Sequence, residues 1–147
     1  MHLWSERIVV ALPQAHPLSA NAPIHWSEIN NECFLINRRE PGPEFQEAVR
    51  MKFVEWDPKH VAEQDLGVDR ILSLVGAGFG LALVLEGATG ASYPGVVFRE
   101  IEDDSGSVRM DFTACWRRTN SNPALAHFLD LLRERYPDLQ AKNKATG

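Results

Sequence analysis

The chain has 147 residues, of which 44% are hydrophobic and 24% charged, the composition of an ordinary globular domain. A chain of this length buries roughly 68–70% of its unfolded surface, so it needs no staples, and collagen-like, disordered and small disulfide-rich architectures are excluded. Fifteen Lys and Arg stand against twenty Asp and Glu, and the net charge of -5 has the wrong sign for a free-standing nucleic-acid binder.

Cys33 and Cys115 are too few for a disulfide framework and too far apart for a zinc or thioredoxin-like motif, which suits a reducing compartment. Met1 to Arg7 lacks the basic start and apolar core of a signal peptide, and no apolar run approaches the ~18 residues of a membrane span. The expectation is a cytoplasmic, soluble protein with no membrane contact and no metal or cofactor.

In chain order, Arg7 to Leu12 (RIVVAL) is an apolar run without alternation, the pattern of a strand covered on both faces, and Pro13 ends it. A turn follows at His16-Pro17-Leu18, then a helical turn at Trp26 to Ile29. Cys33 to Ile36 is a second buried strand, expected to lie parallel to and beside the first. Gly42-Pro43 opens a helix whose apolar face is Phe45, Ala48, Val49 and Phe53, and Asp57-Pro58 closes that region. His60 to Gln64 reads as a short strand. Asp65 or Gly67 then caps a helix with the stripe Val68, Ile71, Leu72 and Val75, ending at Gly76 or Gly78.

Leu81 to Leu85 is a further apolar strand, and Tyr93-Pro94-Gly95 turns into a strand from Val96 to Ile101. Beyond the Asp103 to Gly106 link, Val108, Met110, Phe112, Ala114 and Trp116 alternate with polar residues as in a half-buried strand. Asn122-Pro123 starts a last helix with Leu125, Phe128, Leu129 and Leu132 on one side, Arg133 and Arg135 at its C-terminal end and Pro137 as its stop. Ala141 to Gly147 is a polar, frayed tail. The alternation of strands and helices is that of an α/β fold.

Gly76-Ala77-Gly78-Phe79-Gly80 invites a phosphate-loop reading, but it follows a helix and precedes a strand. A phosphate cradle needs the reverse order, so the glycines read as a helix end and tight turn. His16 has no nucleophile or acid at a readable spacing and suits a structural role in its turn. Both thiols are expected to be packed in strands, and Trp4, Trp26, Trp56 and Trp116 are not interleaved with basic residues as a base-stacking platform requires. Arg38 and Arg39 lie between a strand end and a helix start, where open α/β sheets bind ligands, and guanidinium groups there suit a carboxylate. The competing expectation is that they are solvated or pair with Glu40 or Glu44.

Three patches together resemble the effector-binding (substrate-binding) domain of LysR-type transcriptional regulators. The first runs from Leu3-Trp4 through Val9-Val10-Ala11-Leu12-Pro13 to His16-Pro17-Leu18. The second is Ile71 to Val84 (ILSLVGAGFGLALV). The third combines Pro94-Gly95-Val96-Val97-Phe98-Arg99, Ala114-Cys115-Trp116-Arg117-Arg118 and Asn122-Pro123-Ala124-Leu125 with Phe128-Leu129. Leu85-Glu86 departs from the family pattern, which usually has a proline after that strand.

The resemblance implies a periplasmic-binding-protein-like fold of two α/β subdomains with a small effector in the cleft between them. It further implies that residues 1–100 form subdomain two, that 101–140 supply the return strand and last helix of subdomain one, and that 141–147 are a disordered tail. The winged helix-turn-helix and the first half of subdomain one have no counterpart here, so DNA would be contacted only through a domain outside this chain. By alignment with the family, Leu66, Gly67 and Val68 join Arg38 and Arg39 as candidate effector contacts. Ala11, Leu12 and Pro13 are added as a strand end expected on the cleft side. The implied function is non-enzymatic sensing of a small molecule, a carboxylate suiting the arginines, by a homo-oligomer of two or more copies; the apolar faces of the last strands and helix are then expected to be covered by another copy, or else the C-terminal segment is mobile and protease-sensitive. The alternatives are a stand-alone solute-binding or enzymatic α/β module and a truncated fragment with no function of its own.

Overall fold

The computed structural model describes residues 1–39, 42–53, 60–117 and 119–136. The expected turn at Asp57-Pro58, the stop at Pro137 and the polar tail lie outside them. Two compact units are present, Arg7–Met110 and a second made of Met1–Glu6 with Asp111–Gly147. The larger unit is thus ten residues longer at its C-terminal end than the expected boundary at 100, and the first six residues belong to the other unit.

The larger unit is organised around β1 (His2–Pro13), whose residues from Ile8 to Leu12 are all buried. It pairs antiparallel with β5 (Ala82–Leu85), Ile8 facing Leu85 and Ala11 facing Ala82. On its other side it pairs antiparallel with β6 (Val96–Asp103), Val9 facing Glu100 and Pro13 facing Val96. The two-residue strands β2 (Ile24–His25) and β7 (Gly106–Ser107) flank β6. A parallel pair, β3 (Cys33–Asn37) and β4 (His60–Gln64), joins the sheet beside β5 through a parallel bridge between Phe34 and Leu81. The expected parallel pairing of the first strand with Cys33 to Ile36 is therefore wrong. An apolar run reports burial on both faces but carries no sign for strand direction.

Alternate residues of β1 feed two cores. Ile8, Val10 and Leu12 pack with Ile24, Phe34, Val49 and Phe53, beneath α1 (Trp26–Ile29) and α2 (Gly42–Lys52). The Trp26 ring stacks on Phe53 at 4.0 Å between centroids. Val9 and Ala11 face the opposite side, with Leu35, Val84 and the stripe Ile71, Leu72 and Val75 of α3 (Val68–Gly76). Each fully buried aliphatic side chain contributes about 1.5–3 kcal/mol, and β1 supplies five consecutive buried positions. Val68, expected in that stripe, is exposed instead, because it stands at the first position of the helix beyond the end of the sheet.

The smaller unit pairs the start of β1 with β8 (Arg109–Thr113). The Met1 amino group donates to Ala114 O at 2.9 Å and Ala114 N donates to Met1 O at 2.8 Å, while Trp4 stacks on Phe112 at 5.2 Å. Helix α4 (Pro123–Arg135) starts at Asn122, whose side chain accepts from Ala124 N at 2.9 Å. Leu129 is buried, whereas Phe128 is 55% exposed and Trp116 40% exposed. Cys115 is exposed and Cys33 half-buried, so the expectation of two packed thiols fails at Cys115. The strand ends at Thr113, and residue 115 would in any case point to the solvent side of its alternation. Among the described residues no helix is long and apolar enough to cross a membrane.

The glycines after α3 are a helix end, as expected. Ala77 N donates to Ser73 O, Gly78 N to Val75 O and Phe79 N to Leu74 O, with Gly78 at φ +86°. Gly76 is present for another reason: a Cβ there would sit 2.3 Å from Pro94 O, whereas one at Gly67 would meet nothing within 4 Å. Gly76→Ala should accordingly cost about 1–3 kcal/mol in chemical denaturation. Gly67→Ala, at an ordinary negative φ, should fall within about 1 kcal/mol of the parent. Equal stabilities for the two variants would refute the close approach at Gly76.

Candidate functional site

Parallel pairing of β3 with β4 brings two of the sequence-derived segments together. Asn37 faces Gln64, and Arg38 N extends the ladder by donating to Gln64 O at 2.9 Å. Arg38 and Arg39 follow one strand end, and Leu66, Gly67 and Val68 follow the other. This juxtaposition is dictated by a parallel pair joined through α2, whose C-terminal strand ends must share one edge. The Asn37 side chain accepts from Arg39 N at 2.8 Å, fixing the local turn.

The arginines are exposed and pair with carboxylates on the neighbouring strand end. Arg39 Nε donates to Asp65 Oδ1 at 2.8 Å, and Arg38 Nε lies 3.5 Å from Glu63 Oε2. The expectation of pairing with Glu44 is replaced by these cross-strand partners, and Glu40 lies outside the described residues. Gly67 caps α3 with extended backbone and no side-chain hydrogen bond, so the first N–H groups of the helix have no intrahelical acceptor and carry the positive end of its dipole.

Ala11, Leu12 and Pro13 are not part of this arrangement. The antiparallel register sets Ala11 opposite Ala82 and Pro13 opposite Val96, at the starts of β5 and β6, so these residues lie at the far end of the sheet from Arg38 and Gly67. Ala11 and Leu12 are also fully buried. The strand end expected on the cleft side thus lies away from Arg38 and Gly67. His16 is structural: its Nδ1 accepts from Leu18 N at 3.2 Å, capping the short helical turn Pro17–Ala20.

One charged cluster at the Arg38 end escaped the sequence reading. Arg7 Nε donates to Glu86 Oε2 at 3.0 Å, a second guanidinium nitrogen bonds Glu86 Oε1, and Nη1 donates to Glu100 Oε2 at 2.9 Å. Three strands are cross-linked: Arg7 on β1, Glu86 just past β5 and Glu100 on β6. The position where the family pattern departs, Leu85-Glu86, supplies the bidentate partner, and this was the available signal. The hydrogen bond from Arg7, followed by its charge, holds the Glu86 carboxyl below its ordinary value, against the opposing effect of burial. On the α3 side, the Tyr93 hydroxyl donates to Asp69 Oδ1 at 2.7 Å, and that bond raises the phenol above its ordinary value. Among the described residues, no group of three or more His, Cys, Asp or Glu is placed to hold a metal ion.

The family model for the LysR substrate binding domain matches residues 1–137. The HTH-type transcriptional regulator BudR of Raoultella terrigena is 28% identical over 130 residues, covering 86% of this chain and 43% of its own length. ClcR of Pseudomonas putida is 28% identical over 133 residues, covering 89% and 44%. The chain thus spans less than half the length of these regulators. Among solved structures, full-length BenM superposes with a TM-score of 0.73 at 21% identity, covering 95% of this chain and 46% of that one. The effector binding domain of QuiR in complex with shikimate gives 0.72 at 18% identity, covering 90% and 62%, and the BenM effector binding domain with benzoate gives 0.69 at 19%, covering 95% and 63%. These likenesses establish the periplasmic-binding-protein-like α/β fold of effector-binding domains.

The ion pair at Glu86 has a defined pH signature. Its folded-state pKa lies below the ordinary value, so its contribution to stability is complete above the unfolded-chain value of about 4.5 and is lost as pH falls through the lower folded-state value. Urea denaturation from pH 7 to pH 3 should show wild type more stable than Glu86→Gln at neutral pH, with the gap closing below about pH 4. A gap that stays constant or widens on acidification would contradict the pairing.

Proposed function

Since the chain belongs to the LysR substrate-binding domain family, matched over residues 1–137, we propose that it is the effector-sensing part of a cytoplasmic LysR-type transcriptional regulator. Its role is binding rather than catalysis, in keeping with the curated relatives, which are transcriptional regulators. DNA contact belongs to the helix-turn-helix portion of such regulators. Effector binding biases the regulator between states by binding one more tightly than the other.

The single observation that carries the reading is the meeting of Arg38-Arg39 with Leu66-Gly67-Val68 at the shared end of β3 and β4. Two guanidinium groups and an uncapped helix start present hydrogen-bond donors and positive charge in one place, chemistry suited to a small carboxylate. Benzoate, the effector of the structural neighbour BenM, and shikimate, held in complex by the effector binding domain of QuiR, are both of this class. The cross-strand acids explain how the arginines are held without a ligand: exposed ion pairs of this kind contribute about 0–1 kcal/mol and yield readily to a better-placed carboxylate. The exposed Trp116 and Phe128 further favour a homo-oligomer, in which apolar surface on this unit is covered by another copy.

Isothermal titration with benzoate, shikimate and related carboxylates tests the reading. Replacing the responsible arginine in Arg38→Ala or Arg39→Ala should weaken binding by about 1.5–3 kcal/mol, the range for hydrogen bonds to charged groups. Stability should change by no more than about 0.5 kcal/mol in either variant. Carboxylate affinity unchanged in both variants, or no carboxylate bound at all, would remove the arginine site.

A further inference from the structure

Helix α3 begins without a side-chain cap, and its first turn extends past the end of the sheet core: Val68 and Asp69 are exposed, and the buried stripe starts at Ile71. A hydrogen bond from another element does reach this turn, through Asp69, which accepts from the Tyr93 hydroxyl at 2.7 Å. Tyr93 belongs to the connection from β5 to β6, and that connection is fastened at both ends. At its start Glu86 is gripped by Arg7. At its end the backbone of Pro94 and Gly95 lies against Gly76, so closely that a Cβ on Gly76 or Gly95 would fall within 2.9 Å of a carbonyl oxygen. In between, Ala88 and Tyr93 pack on the α3 side of the sheet, and the Tyr93 ring meets Phe98 edge-on at 6.4 Å. The phenol is therefore anchored independently of the turn that it holds.

Asp69 is the second residue of the helix, where a carboxylate is attracted to the unpaired N–H groups and the positive end of the dipole. Tyr93 offers that carboxylate a competing donor directed away from the helix axis. We propose that Tyr93 is a positioning residue for the effector site: its hydroxyl fixes the first turn of α3 and keeps Asp69 from occupying the helix N–H groups that a carboxylate effector would use. The consequence for the effector rests on the reading that Gly67 and Val68 belong to the site, whereas the hold on the turn does not. Without the hydroxyl, Asp69 would fold onto its own helix start, compete for the same donors and repel an incoming anion.

The test compares Tyr93→Phe, Asp69→Asn and the double variant in the full chain. Backbone amide exchange at Ile71 to Ser73, whose helical acceptors lie at residues 67–69, reports opening of the first turn. In Tyr93→Phe these amides should exchange about three- to tenfold faster, the equilibrium weight of one net hydrogen bond, with Val9 to Leu12 unchanged. No acceleration at Ile71 to Ser73, or an equal acceleration in β1, would overturn the positioning role. Benzoate titration is the second arm. Affinity should fall in Tyr93→Phe and return towards wild type in the double variant, where the competing charge is gone. A fall that Asp69→Asn does not relieve would overturn the competition. Failure of benzoate to bind wild type would count against the effector reading alone, since the exchange result stands without a ligand.

Discussion

Burial of one strand on both faces is the constraint from which the larger unit follows. Ile8, Val10 and Leu12 need apolar cover on one side and Val9 and Ala11 on the other, so helices must pack on both faces of the sheet. Helices α1 and α2 meet the first demand, and α3 meets the second. With β1 running against its neighbours, β3, β4 and β5 all end at the edge where β1 enters the unit. Placing donors at that edge needs no specialised loop. It requires only that polar residues follow the ends of β3 and β4, as Asn37-Arg38-Arg39 and Asp65-Leu66-Gly67 do.

Charge at this edge is largely compensated within the fold. Arg39 is held by Asp65, Arg38 lies near Glu63, and Arg7 is shared between Glu86 and Glu100. The two kinds of pairing differ in consequence. Arg7 bonds Glu86 bidentately and links three strands, a geometry that resists exchange with solvent anions. The pairs at Arg38 and Arg39 are exposed and joined through single contacts, so they keep the arginines in place at small cost to their availability. Both guanidinium groups are thereby oriented while remaining exposed.

Much of this was legible in the sequence, because periodicity and end signals are local. Strand β4 occupies the expected His60 to Gln64, α1 has the expected limits, α2 starts at the expected Gly42, and α3 ends where glycine was expected to end it. Strand direction was not legible. RIVVAL describes a buried strand equally well in either orientation, so which of its ends lies beside Arg38 and Gly67 does not follow from the run alone. Cross-strand partners were missed for the same reason: Arg7 and Glu86 are 79 residues apart, and Tyr93 and Asp69 are 24 apart, so no short-range pattern joins them. Exposure of Val68 and Cys115 was lost where a periodic pattern ran beyond the surface available to cover it, whereas the exposed Phe128 agrees with the expectation that the apolar face of the last helix is left uncovered within the chain.

The central claim is that the effector site lies at the shared end of β3 and β4, and backbone amide chemical-shift mapping on addition of benzoate or shikimate tests it most directly. The account predicts the largest shifts at Asn37 to Arg39 and Leu66 to Asp69, with Ala11, Leu12 and the Gly76 to Gly80 turn at the opposite edge undisturbed. Shifts concentrated at Ala11 to Gln14 or at Gly76 to Gly80, with the two strand ends silent, would contradict it.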